Sequence, residues 1–286
     1  MFLAQGWKDY ILLDTGEGEK LENWKGFILR RPDPQAIWGR EKKELWGKAH
    51  AVYERSSTGG GAWKFNKKLP ERWTVSYKGL QFYVRPTGFK HTGLFPEQAA
   101  NWDFIMKQVR GAGRPVNILN LFAYTGAATL AGIQAGAHVT HVDAAKSMVS
   151  WAKENVELNG LAEKPQRHIV DDCLKFVLRE QRRGSRYDAI LMDPPSYGRG
   201  ADGQVWKMED SLFGLVEECA KLLSDDPLFF IINSYTTGLS PSVTKNMLEL
   251  TVNKAHKGIV EADEIGLPVK DSAVVLPCGS TARWRR

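Results

Sequence analysis

Four short segments of this chain carry side chains whose types and spacing could do chemistry. NLFAYTGAATL turns through Phe122, Ala123, Tyr124, Thr125 and Gly126; HVTHVDAA ends on Asp143; HIVDDC holds Asp171, Asp172 and Cys173; and YDAILMDPPSYG ends in Asp193, Pro194, Pro195, Ser196 and Tyr197. Small residues in the first let a backbone approach a ligand closely, and a helix starting just after them favours a carboxylate or phosphate. Only one glycine stands where a dinucleotide fingerprint needs three, so that reading is weak, and a small-residue turn alone is equally a plain connection. Asp143 follows about 20 residues later, where a carboxylate can accept both hydroxyls of a ribose. Asp172 is placed to accept from an exocyclic adenine amine, although either aspartate also reads as a helix N-cap, Asp172 above all before LKFVLRE. Turn, Asp143 and Asp172 together describe a nucleoside with a small charged tail. In Asp193-Pro-Pro, two prolines remove two backbone donors and leave carbonyl oxygens and a carboxylate toward the crevice, a rim that accepts from an amine. Tyr197 beyond it could stack on a planar substrate, as in enzymes that extrude a base. The alternative is a structural strand terminator.

These residues act together only if one sheet edge gathers them. From residue 115 onward, short aliphatic runs alternate with helix-length amphipathic stretches, the pattern of a parallel sheet covered by helices. The pattern predicts strands at Val116–Phe122, His138–Asp143, Arg167–Val170, Tyr187–Met192 and Leu228–Ile232, and helices at 126–135, 145–159, 172–182, 208–223 and 241–255. Asn159-Gly160 reads as a left-handed helix cap. Gly258 to Ile265 and a last segment reaching Trp284 predict an antiparallel terminal pair, and FPEQAANWDFIMKQVRGAG predicts a helix leading into the first strand. Before residue 90, strand-like pieces such as Tyr10–Leu13, Gly26–Leu29, Trp73–Tyr77 and Leu80–Val84 predict a small antiparallel β unit, with SSTGGGA at 56–62 as a loop.

Composition narrows the class. The 286 residues are 43% apolar, 25% charged and 10% aromatic, ordinary for a globular protein and unlike a disordered tail, a collagen or a coiled coil. The first 114 residues hold 20 basic and 12 acidic side chains and seven of the ten tryptophans, against 19 basic and 21 acidic afterwards. A basic aromatic front on a neutral back suggests a polyanion-facing module beside a ligand-binding one, although surface lysines and core tryptophans alone give the same count. No window reaches about 18 consecutive apolar residues, and the N-terminus lacks a signal-peptide pattern, so the reading is cytoplasmic with no membrane partner. Cys173, Cys219 and Cys278 are far apart, with neither a disulfide framework nor a metal spacing.

From about Pro86 onward, roughly two thirds of the chain resembles class I S-adenosylmethionine-dependent methyltransferases, in particular the bacterial large-subunit ribosomal RNA cytosine-C5 family. NLFAYTGAATL resembles that family's cofactor loop, HVDAAKSMVSWAKENVELNGL its ribose-binding strand and helix, and DPPSYG its catalytic loop. HTGLFPEQAANW resembles the segment before the sheet in which a glutamine helps hold the cofactor. The resemblance implies an α/β fold with a Rossmann-like, mostly parallel seven-stranded sheet and an antiparallel terminal hairpin. The chain is expected to divide near residue 90 into 1–90, a small β-rich basic and aromatic domain that could contact RNA, and 91–286, the methyltransferase domain. S-adenosyl-L-methionine is then held by Gln98, Phe122, Ala123, Tyr124, Thr125, Gly126, Asp143, Asp172 and Cys173, catalysis falls to Asp193–Tyr197, and the partner is an RNA, ribosomal by the resemblance, with no metal.

Two departures matter. Such members usually begin with an RNA-binding PUA module, and 90 residues leave room only for the small β unit that follows it. RNA binding then rests on Lys64, Lys67, Lys68, Arg72, Lys78, Arg85 and Lys90 against a single acidic residue, Glu71, or these are simply a solvated face. Methylating carbon 5 of cytosine also needs a nucleophile, which in this family is a cysteine just after the fifth strand. Here that place reads IINSYTTGLSP. Cys173 adjoins the adenine-side Asp172, Cys219 reads as a buried small residue, and Cys278 would face the rim only if the last strand begins near Gly279. Direct transfer to nitrogen or oxygen needs no covalent intermediate. Competing readings are a methyltransferase with a protein or small-molecule acceptor, a catalytically silent RNA-binding protein, and a nicotinamide enzyme, the last lacking its glycine fingerprint.

Overall fold

The structure is a computed structural model that describes residues 1–56, 60–199 and 205–286. Part of the expected 56–62 loop, residues 57–59, lies outside the described residues. Two compact units are present: Asn101–Glu264 with Gly279–Arg286 and Met1, and Phe2–Ala100 with Ile265–Cys278.

The larger unit is built on strands β1 (Asn117–Leu121), β2 (His138–Asp143), β3 (Gln166–Val170), β4 (Ala189–Met192), β5 (Phe229–Ser234), β6 (Ile259–Pro268) and β7 (Val275–Arg285), in the order β6-β7-β5-β4-β1-β2-β3. The first five are parallel, and β7 runs antiparallel to β5. This is the Rossmann-like α/β sheet that the periodicity and the resemblance implied. β4 and β5 are buried at every position and β1 at all but its first, which is why they read as unbroken apolar runs instead of alternating ones. Four strand boundaries moved inward, those expected at Val116, Phe122, Tyr187 and Leu228. Phe122 leaves β1 because its φ is 52°, and Tyr187 and Asp188 precede β4, with the Asp188 carboxylate accepting from Asn117 N–H at 2.8 Å.

Side-chain alternation sorts the helices α1 (Ala127–Ala135), α2 (Lys146–Leu158), α3 (Cys173–Arg182), α4 (Met208–Ala220) and α5 (Pro241–Leu248) into two layers. Leu119, Leu121, Val142, Ile190, Met192, Phe230, Ile232 and Trp284 share one face, against which Phe176 and Val177 of α3, Leu212, Leu215 and Val216 of α4, and Leu248 of α5 form one core. In α3 the buried positions are Cys173, Phe176, Val177 and Glu180, the i, i+3, i+4, i+7 stripe of an amphipathic helix. The other face carries Ile118, Val139, His141, Phe229 and Arg283. There α1 lies so close that a Cβ on Gly132 would stand 2.9 Å from Val139 Cγ2, and the helix Ala99–Gly111 brings Phe104 to 5.7 Å from Phe229. Gly160 caps α2 with a φ of 65°, as its sequence predicted. The expected helix 241–255 widens into a π-helical turn at Glu249–Asn253 after α5.

The smaller unit holds a five-stranded sheet over Tyr10–Gly16, Glu19–Trp24, Phe27–Pro32, Ala51–Arg55 and Gly61–Phe65, and a hairpin of Trp73–Tyr77 with Leu80–Val84. Its pairs are antiparallel except one: Leu29 and Arg30 run parallel to Ala51 and Val52, because residues 33–50 cross back to the same end. Phe2–Leu3 pairs with Ile265 and Gly266, so the main sheet's hydrogen-bonded order carries one short strand beyond the seven expected. Among the described residues, no helix is long and apolar enough to cross a membrane.

Arg283 is buried on the α1 face of the larger unit, where burial pushes its guanidinium down to about 10. Asn101 answers it: its Oδ1 accepts Arg283 Nε–H at 2.8 Å while its Nδ2 donates to Asn233 Oδ1 at 2.8 Å. Replacing Asn101 with alanine leaves a buried charged donor short of an acceptor and should lower stability by about 2–3 kcal/mol, read from urea denaturation.

Candidate functional site

The register aligns the strand ends. Leu121 pairs with Val142 and Met192, Asp143 with Val170, and Met192 with Ile232, so the five parallel strands finish in one row. Strand order reverses between β1 and β4, and a crevice forms at such a switch point. The turn 122–126, Asp143, Asp171–Cys173 and Asp193–Tyr197 all leave the sheet on that edge. The structure therefore brings together every expected site residue of the larger unit. Gln98 belongs to the smaller unit, where it is buried and closes the short turn Pro96–Gln98.

The turn after β1 is strained and heavily tied. Phe122, Tyr124 and Gly126 have φ of 52°, 50° and 83°, a conformation that costs non-glycine residues of order 1 kcal/mol each. Three amides hold it: Phe122 N–H to Cys173 Sγ at 3.3 Å, Ala123 N–H to the Val142 carbonyl at 3.1 Å, and Tyr124 N–H to Asp143 Oδ2 at 2.8 Å. The Thr125 carbonyl accepts from Asn155 Nδ2 of α2 at 2.9 Å, and a Cβ on Gly126 would stand 2.8 Å from the Ala152 Cβ. Beneath the turn lies His141, fully buried, with Nδ1 taking the Thr129 hydroxyl at 2.9 Å; Asn120 donates to that same hydroxyl at 2.9 Å. Burial, reinforced by His168, pushes His141 down to about 3, so the floor under the turn is uncharged.

Both Asp143 oxygens are engaged, Oδ2 by Tyr124 and Oδ1 by Ala145 N–H at 2.8 Å, which leaves each a second lone-pair direction for a hydroxyl. Asp172 is an N-cap, accepting Lys175 N–H on Oδ1 at 2.9 Å; its other oxygen has no partner among the described residues, so capping would not prevent it from accepting a ligand donor. Asp171 instead pairs with Arg179. Cys173 is buried, and burial pushes its thiol well above the ordinary range. A thiol so placed positions the Phe122 amide and is a poor nucleophile.

On the β4 side, the carbonyls expected to face the crevice are partly spent. Pro195 O accepts Trp206 Nε1–H at 2.6 Å, and Ser196 O accepts Met208 N–H at 3.1 Å. Pro194 is buried, yet nothing among the described residues donates to its carbonyl. Among the described residues, the Pro194 carbonyl is thus the rim acceptor that nothing reaches, next in the chain to the Asp193 carboxylate. Tyr197 is 53% exposed. Where the family's cysteine would stand, β5 runs into Ser234, Tyr235 and Thr236; Thr236 Oγ1 bonds Ser196 Oγ at 2.7 Å and Met208 Sδ at 3.1 Å. Asn155, Trp206 and Thr236 escaped the sequence reading because a lone polar or aromatic residue in a helix or short ribbon carries no local mark of the loop it will touch.

Gly126 is the most constrained point of the turn. Gly126→Ala meets both a positive φ and the Ala152 side chain, and should lose about 1–3 kcal/mol of stability in denaturant titration and weaken nucleoside binding by calorimetry.

Comparison with known proteins agrees with this geometry. Residues 47–226 match the family model described as S-adenosylmethionine-dependent methyltransferase. A crystal structure of a SAM-dependent methyltransferase from Agrobacterium tumefaciens is 37% identical, with a TM-score of 0.92 over 99% of this chain and 92% of that one. A putative SAM-dependent methyltransferase from Streptococcus mutans shares the fold at 19% identity, with a TM-score of 0.74 over 99% of this chain and 76% of that one. A curated relative, ribosomal RNA large subunit methyltransferase K/L of Shewanella baltica, is 30% identical over 72% of this chain and 27% of its own length. This chain thus spans about a quarter of that relative. The matched region spans the strained turn, Asp143, Asp172 and the Asp193-Pro-Pro loop, and on this evidence the chain belongs to the S-adenosylmethionine-dependent methyltransferases.

Proposed function

We propose that this enzyme methylates a nitrogen of a base in a structured RNA, ribosomal RNA first, with Asp193 to Tyr197 as the acceptor rim. The observation that carries the reading is the Pro194 carbonyl after β4, to which no described residue donates, next in the chain to the carboxylate-bearing Asp193. Two adjacent acceptors suit an exocyclic amine, which offers two N–H donors and keeps its lone pair for the incoming methyl. S-adenosyl-L-methionine, when bound, supplies an electrophilic methyl group on a sulfonium. The residues present fit that cofactor: a turn with no room for a side chain at Gly126, two carboxylates with lone pairs to spare, and an uncharged floor. Phe122 to Gly126, Asp143, Asp172 and Cys173 form the proposed binding set, and Gln98 joins it on the resemblance of HTGLFPEQAANW alone. The rim's part is to hold the amine with its lone pair toward the methyl and to take the shed proton at Asp193.

The choice of nitrogen over carbon 5 follows from the thiols. Burial pushes Cys173, Cys219 and Cys278 all upward, and hydroxyls line the stretch after β5. RNA enters through the name of the curated relative and through residues 1–90, which we propose as the RNA-contacting domain; a cytoplasmic location goes with it. There Lys64, Lys67, Lys68, Arg72, Lys78 and Arg85 are exposed beside Phe65 and Phe89, at 54% and 69%, a mixture of cations and stacking faces suited to single-stranded RNA. Lys90 is half-buried, and its carbonyl serves Arg31 at 3.0 Å.

Labelled cofactor incubated with total RNA from a deletion strain, followed by mass spectrometry of the modified nucleotide, tests the reading. Asp193→Ala should bind cofactor with unchanged affinity and transfer at least about 100-fold more slowly; full activity would remove the rim from catalysis. Replacing Cys219 and Cys278, singly and together, should leave transfer within about twofold, whereas loss of transfer with cofactor binding intact would restore a covalent carbon-5 mechanism.

A further inference from the structure

The Asp193-Pro-Pro loop has an unusual anchoring problem. Its prolines have no N–H to donate, so the loop cannot be fixed by its own amides and must be caught by its acceptors. Asp193 N–H reaches the Leu121 carbonyl only at 3.4 Å. The firm holds come from behind, where the chain forms a two-stranded ribbon of Tyr197–Arg199 and Val205–Lys207. Its register pairs Tyr197 with Lys207 and Gly198 with Trp206, so Trp206 lies on the face opposite Tyr197 and Lys207. Tyr197 and Lys207 are exposed, while Trp206 is half-buried. The Trp206 indole does two things at once. Nε1–H donates to the Pro195 carbonyl at 2.6 Å, and the ring lies 5.4 Å from that of Phe122, tilted by 52°. Phe122 is the first strained residue of the cofactor turn.

We propose that Trp206 is a positioning residue that ties the acceptor rim to the cofactor turn, so that ordering the turn around bound cofactor sets the placement of Asp193 and Pro194. Its hydrogen bond fixes the loop, and its ring contact makes that fixing depend on Phe122. Coupling of this kind is reciprocal: whatever orders the turn orders the loop, and the converse. The inference rests on the reading of Asp193 to Tyr197 as the rim, and its test separates the two.

Hydrogen exchange of the full chain, with and without S-adenosyl-L-homocysteine, reads the coupling without any acceptor. In the wild type, cofactor product should slow exchange both in the turn, Phe122 to Gly126, and at Ser196 and Tyr197. In Trp206→Ala, protection of the turn should persist at saturating ligand while that of Ser196 and Tyr197 is lost. Unchanged loop protection in Trp206→Ala would overturn the proposal. Trp206→Phe keeps an aromatic ring at the position and removes the N–H donor along with part of the indole. With total RNA as acceptor it should lower kcat about tenfold while leaving the cofactor KM within about twofold. An unchanged kcat in Trp206→Phe, with Asp193→Ala inactive, would equally overturn it. A wild type that methylates no RNA would sink the RNA reading alone, because the exchange result stands without it.

Discussion

The larger unit turns on one carboxylate. Asp143, at the end of β2, takes an amide from the turn after β1 on one oxygen and an amide from its own following loop on the other. Without the first bond, Tyr124 would be left in a left-handed conformation that its side chain disfavours, and Phe122 would lose a neighbour that shares the strain. The turn is thus held by contacts within the protein itself. That Asp143 still has lone pairs to offer makes the structural and the binding roles compatible in a single side chain.

A different logic holds the opposite side of the crevice. The turn is fixed by its donors, the proline loop by its acceptors, and the residues that supply those donors, Trp206 and Met208, come from the far end of a ribbon. The consequence is selective. Pro195 and Ser196 carbonyls are consumed in holding the loop, and Pro194 is left open beside Asp193. After β5, Thr236 reaches the Ser196 hydroxyl and the Met208 thioether of α4, where the sequence reading had looked for a cysteine.

The smaller unit shows how its positive charge divides. Arg31 and Glu22 are buried and joined by two bonds of 2.6 Å, with Tyr10 donating to the same carboxylate at 2.9 Å, and Lys20 meets Asp33 at 3.1 Å. Lys20 and Arg31, opposite Glu22, are held charged by these partners, and the carboxyl of Glu22 is held below its usual range. Buried pairs of this kind tolerate poorly the loss of one member. They are spent on structure, whereas Lys64, Lys67, Lys68, Arg72, Lys78 and Arg85 keep exposed side chains.

What the sequence determined by itself was whatever local pattern encodes. Buried parallel strands show as runs such as AILM and FFIIN, α3 shows its stripe at Cys173, Phe176 and Val177, and Asn159-Gly160 marks the end of α2. Because an open parallel sheet places ligands at its strand ends, Asp143, Asp172 and Asp193 were legible as candidates from the strands alone. Tertiary structure decided which groups remain open once the chain is packed. That Cys173 serves Phe122, that Ala152 forbids a side chain on Gly126, that residues 33–50 make one pair of strands parallel, and that Trp206 takes the carbonyl of Pro195 all depend on register between segments far apart in the chain. Periodicity records which face of an element is buried. It does not record which distant partner will meet it, and the choice of open acceptors at the rim rests on those meetings.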